Sequence, residues 1–173
     1  MNPDTVQSKI AALRACDYFS DMRDEVLLRY VPYFEWLRVR KHQTFIQEGD
    51  AADFAVIVIS GVFEVSKGEG QKRKLLALAK PGTFLGEIGL ITNRERFATC
   101  KAVDESDVGL LSREQFDSMA RNDLDLHGLL LRQIALQLAH RLTRLTDTII
   151  SLREKNDIAV GAARRIIETA AQV

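Results

Sequence analysis

Phe84-Leu-Gly-Glu-Ile-Gly-Leu-Ile-Thr-Asn-Arg-Glu-Arg-Phe-Ala-Thr-Cys100 decides how this 173-residue chain folds. It sets Gly86 and Glu87 at the start of a short apolar turn, with Arg96 nine residues beyond Glu87. Backbone N–H groups that open a helical turn favour an anion, through unpaired donors and the helix dipole. Arginine adds a planar, permanently charged fork. A carboxylate accepts a hydrogen bond from a sugar hydroxyl. Together they suit a small cyclic phosphodiester with a free ribose hydroxyl.

The texture around that stretch is strand-like. From Phe34 to Leu111, short apolar runs alternate with glycine-bearing turns. Trp36-Leu-Arg-Val-Arg alternates, and Thr44-Phe-Ile leads into the turn Glu48-Gly-Asp50. Phe54-Ala-Val-Ile-Val-Ile59 is continuously apolar up to Gly61, the pattern of a buried strand. Val62–Val65 and Lys74–Ala79 flank the charged tip Lys67-Gly-Glu-Gly-Gln-Lys-Arg. Phe97–Val103 and Asp107–Leu111 complete seven or eight strands. The predicted fold is mainly β with α, an antiparallel barrel or jelly roll.

Helices flank the strands. Ile10, Leu13 and Cys16 are spaced for a short amphipathic helix, and a second follows Asp21 and stops before Pro32. Ser112-Arg-Glu-Gln115 is a capping box, with Leu111 and Phe116 placed as its staple. The chain is then helical from Asp123. Leu131, Ala135, Leu138, Leu142, Leu145, Ile149 and Leu152 are spaced alternately by four and three, a heptad register. Leu129, Leu130, Ile134 and Leu136 lie off it and are free to face the strands. The seam predicts a parallel homodimer about a two-fold axis. The parts are therefore N-terminal helices over 1–33, a β-roll over 34–122 carrying the cassette 84–100, a dimerisation helix over 123–155, and a short tail over 156–173 able to continue as helix.

Bulk properties narrow the function. Lys plus Arg equal Asp plus Glu at 24 each, so the formal charge is zero. Whole-chain charge gives no support for nucleic-acid or membrane-surface binding. Cys16 and Cys100 lack metal-ligand spacing and read as two reduced, buried thiols. No apolar run reaches the roughly 18 residues of a membrane span, and no signal peptide opens the chain, so a cytoplasmic protein is expected. Phosphate-loop, zinc-protease, paired C-x-x-C and G-x-S-x-G motifs are absent from the sequence, which leaves an enzyme unsupported. His42, His127 and His140 are scattered.

On these residues the chain resembles the cyclic nucleotide-binding domain family, most of all the sensory half of bacterial regulators of the catabolite activator protein type. The resemblance runs from about Leu13 to Leu152. It rests on Glu48-Gly-Asp50 with Gly61, on Pro81-Gly82 before Phe84–Ile91, on Arg96 with Ala98, and on Gln137-Leu-Ala-His-Arg-Leu142. It implies that Glu87 and the Gly86 backbone hold the ribose 2′-hydroxyl, with Ile88 beside them. It implies that Arg96 pairs with the phosphate, joined by the backbone N–H groups of Phe97 and Ala98. Thr146 would reach the purine from the dimer helix. Phe97 stands where the family usually places a small or hydroxyl residue. The missing hydroxyl removes a contact associated with cyclic GMP, so cyclic AMP is the expected ligand, with no further cofactor and no metal.

Regulators of this type carry a winged DNA-binding domain after the dimer helix, and the 21 residues after Leu152 cannot hold one. The expectation is a non-enzymatic receptor that signals to a protein partner, with DNA binding only if residues beyond Val173 exist. The alternatives are a ligand-free dimeric interaction module of the same fold, or a truncated transcription factor.

Overall fold

The computed structural model describes residues 5–92 and 94–170, with backbone alone for 157–170. The chain forms two compact units, residues 1–134 and 135–173.

The first unit opens with α1 (Val6–Arg14), whose N-terminus is capped by Thr5 through Ser8 N at 3.2 Å. Next comes α2 (Asp24–Tyr30), which runs into a 3-10 turn holding Pro32. Among the described residues, eight strands make two four-stranded antiparallel sheets. They are β1 (Glu35–Val39), β2 (Thr44–Ile46), β3 (Phe54–Ser60), β4 (Phe63–Lys67), β5 (Lys74–Ala79), β6 (Phe84–Leu85), β7 (Thr99–Ala102) and β8 (Ser106–Ser112). One sheet orders β1-β8-β3-β6 and the other β2-β7-β4-β5. The sheets do not close into a barrel; the jelly-roll expectation holds. The continuous apolar run becomes β3, an inner strand paired to both β8 and β6, with Ala55, Val56, Ile57 and Val58 buried. A strand covered on both faces loses the in-out alternation. Sequence reading missed β6, because two residues carry no periodicity.

Val39, Ile46, Val56, Val58, Phe63, Ala79, Cys100, Ala102 and Val108 form one core cluster. Below it Phe19 meets Tyr30 edge-on at 5.1 Å and Phe34 at 6.2 Å. Such pairs add about 0.5–1.5 kcal/mol each beyond area burial. Both cysteines are free and buried.

After the cassette, α4 (Arg113–Asn122) starts at Ser112, whose Oγ accepts from Gln115 N at 3.1 Å. The staple residues Leu111 and Phe116 are both buried. Asp123 then caps α5 (Leu124–Ala170), accepting from Leu126 N at 3.2 Å, and pairs with Arg29 at 3.1 Å. That pairing holds the Asp123 carboxyl below the usual carboxylate range. Leu126, Leu130 and Ile134 of α5 are buried in the first unit.

The second unit is helical through Ala170. Residues 171–173 lie outside the described residues. Of the heptad residues, Leu142, Leu145, Ile149 and Leu152 are 53–66% exposed. Among the described residues, no helix is long and apolar enough to cross a membrane.

Candidate functional site

The cassette folds as β6, a turn at Gly86, and α3 (Glu87–Thr92). Gly86 has φ +79°, in the left-handed region. A Cβ there would lie 2.6 Å from Arg96 Nη1 and 3.2 Å from the Phe54 carbonyl. Only glycine satisfies both the backbone conformation and the closeness of the guanidinium.

Glu87 opens α3 and is 3% exposed. The Tyr18 hydroxyl donates to its Oε1 at 3.2 Å. Tyr18 is itself buried, with its ring edge-on to Phe84 at 5.1 Å. The N-terminal segment thus fixes the carboxylate from below.

Arg96 is 6% exposed, which rules out a surface pairing with its neighbour Glu95. Its Nη1 donates to the Phe54 carbonyl at 2.7 Å, and Nη2 lies 3.5 Å from Asp53 Oδ1. The guanidinium sits 4.2 Å from the centre of the Phe54 ring. Its backbone is tied to the Glu48-Gly-Asp turn: Arg96 N donates to Asp50 O at 2.8 Å, and Gly49 N donates to Arg96 O at 3.0 Å. Burial pushes the arginine's pKa down, and Asp53 opposes that shift. A cation held under this cost gains from a strong anion that can replace water. Arg96 in turn moderates Cys100, whose thiol burial pushes up to about 11.

Phe97 is 70% exposed, with Lys67 Nζ 3.5 Å from its ring centre. A hollow of about 600 Å³ is lined by Glu48, Gly49, Lys67, Arg94, Glu95, Arg96 and Phe97. Its wall carries three cations and two carboxylates. Glu48 is engaged, because Gly68 N donates to it at 2.8 Å. Glu87 and Gly86 do not line this hollow. Ile88 is half-exposed on the outer face of α3, and Ala98 is partly buried.

The structure therefore groups Gly86 with Arg96, and Arg96 with Phe97, while Glu87 reaches the tyrosine. Thr146 lies in the second unit, exposed, its Oγ1 donating to Leu142 O at 3.0 Å. Sequence reasoning missed Tyr18, Asp53 and the Phe54 carbonyl. No local pattern links them to residues 42 to 69 positions away. It also took Arg113 for part of a helix cap. Among the described residues, no cluster of three or more His, Cys, Asp or Glu is placed to hold a metal ion.

The profile of the cyclic nucleotide-binding domain matches residues 36–123, just over half of the chain. The chain belongs to that family. It is similar to a cyclic nucleotide-binding domain from Methylobacillus flagellatus, with a TM-score of 0.72, 22% identity, and 84% and 82% of the two chains covered. That likeness shows the fold. It is also similar to the catabolite activator protein of Thermus thermophilus, with a TM-score of 0.69, 26% identity, and 79% and 62% covered. Among curated relatives, a lysophospholipase, nte1, of Emericella nidulans is 25% identical over 139 residues. The match covers 80% of this chain but 9% of that protein, so the chain spans under a tenth of the relative's length.

Proposed function

We propose that this chain is a cytoplasmic receptor for a cyclic purine nucleotide, cyclic AMP in preference to cyclic GMP. The carrying observation is Arg96: a buried guanidinium beside a left-handed glycine, on the wall of an open hollow. In this reading Arg96 pairs with the phosphate, and the N–H groups of Phe97 and Ala98 add to it. Glu87, with Gly86 and Ile88, takes the ribose. The preference for adenine follows from Phe97, which offers no hydroxyl. Neither the reading nor the motif content assigns catalysis to the chain. Output passes through α5, as a parallel homodimer, to a protein partner. Four large apolar side chains exposed along one register support that seam. A ligand shifts such an equilibrium only by its difference in affinity between the two states.

Titration calorimetry with cyclic AMP and cyclic GMP tests the receptor. Saturable heat with cyclic AMP, weaker with cyclic GMP and lost in Arg96→Ala, supports it; silence with both at millimolar ligand ends it. Sedimentation of Leu142→Asp tests the dimer, which should dissociate. A second reading is a ligand-free dimeric module of the same fold. It is favoured by one fact: the Arg96 fork is already engaged by Phe54 and Asp53. It predicts no heat, and loss of function only with the seam variant.

A further inference from the structure

Arg113 stands at the first position of α4, outside the cassette, yet its side chain reaches into it. Nη2 donates to Gly89 O at 2.6 Å and Nη1 to Leu90 O at 3.1 Å. Both carbonyls belong to α3, a helix of six residues whose late carbonyls have no helical donors to take them. Nη2 also donates to Ala52 O at 2.9 Å, and the Arg113 backbone N–H donates to Asp53 O at 2.7 Å. The next carbonyl, Phe54 O, belongs to Arg96. Three consecutive carbonyls, of residues 52, 53 and 54, are thus taken by two arginines approaching from either side.

The bracket is tight. A Cβ on Gly89 would fall 2.3 Å from the Ala52 Cβ, so α3 rests directly on this loop. Among the described residues no carboxylate pairs with Arg113. Its charge is directed at backbone oxygens and is felt by Arg96, whose pKa it helps to lower. Lysine could not replace it, because three divergent acceptors need a planar fork rather than a point charge. The position is fixed in turn by the Ser112 cap on the same helix.

We infer that Arg113 is a positioning residue for the anion site. It locks α3, the loop 52–54 and the start of α4 into one body, and so sets where Arg96 presents its guanidinium. The inference rests on the receptor reading.

The test compares Arg113→Ala with Arg121→Ala, which removes the same charge from the exposed end of α4. Cyclic AMP affinity is measured by calorimetry at a temperature where thermal melts show each variant folded. Arg113→Ala should weaken binding about tenfold or more, the scale of one lost charge-assisted contact. Arg121→Ala should bind as wild type. Millimolar guanidinium should restore affinity to Arg113→Ala, which a purely structural role would not produce. Wild-type affinity in Arg113→Ala, or equal losses in both variants, overturns the inference. If Arg113→Ala does not fold, Arg113→Lys carries the test: a several-fold loss supports the inference and unchanged affinity overturns it. If wild type itself binds neither cyclic AMP nor cyclic GMP, the receptor reading falls, and this inference with it.

Discussion

Replacing Arg96 with methionine should separate stability from binding. The side chain is nearly all buried, and methionine approximates its volume. On the folding side, the Phe54 carbonyl loses its 2.7 Å donor, which costs about 1–3 kcal/mol. The ion pair with Asp53 contributes almost nothing, because that carboxylate is exposed and 3.5 Å away. Against these losses, a buried cation is removed, and its desolvation cost is of similar size. The two nearly cancel, so stability should change by no more than about 1 kcal/mol. That is about 2–4 °C in Tm for a chain of this length. On the binding side nothing compensates. A bidentate guanidinium–phosphate contact is worth about 3 kcal/mol, or roughly a hundredfold in Kd. Differential scanning calorimetry and titration calorimetry with cyclic AMP on the same preparation measure both. A variant that melts normally and binds within twofold of wild type refutes the assignment of Arg96 to the phosphate. A large fall in Tm refutes the cancellation.

Gly86→Ala should lose about 1–2 kcal/mol in urea unfolding from the left-handed backbone alone, with affinity falling further as the new Cβ displaces Arg96 Nη1; unchanged binding would contradict the packing. The Asp123 carboxyl titrates below its ordinary value because of Arg29, so its contribution is present above the unfolded pKa of about 3.9. That contribution disappears as pH falls through the lower folded value. Asp123→Asn should therefore flatten the acid limb of a Tm-against-pH curve, and an unaltered limb would remove the pairing from the account. For Cys100 the sign is reversed: with its thiol near 11, stability is full below the unfolded pKa of about 8.5 and declines as pH rises towards 11. At pH 8 its alkylation, followed by peptide mass spectrometry, should run a few hundredfold slower than that of a free thiol, roughly the ratio of the two thiolate fractions.

What could be read from sequence was whatever repeats or caps locally. The unbroken apolar run 54–59 announced an inner strand, and Ser112 announced a helix start. The cassette could be found because Gly86, Glu87 and Arg96 lie within eleven residues. What stayed hidden depends on chain reversal. Tyr18 reaches Glu87 across 69 residues, and Arg113 reaches Ala52 across 61. The strand Lys74–Ala79 was legible, but not its place in the sheet: β5 is an edge strand, and Leu75, Leu76 and Leu78 on it are all exposed. Composition alone does not distinguish an edge from a centre.

The contact between the N-terminal helices and the cassette has a practical corollary for anyone dissecting this molecule. Gly82, at φ +88°, sits so close to the end of α1 that a Cβ would fall 2.2 Å from the Ala15 carbonyl oxygen. Tyr18 and Phe19 fill the space beneath Phe84. Similarity alone delimits residues 36–123. Excision at that border would slice through an aromatic interior and bare the underside of the cassette to water. A minimal recombinant domain has to begin ahead of Val6.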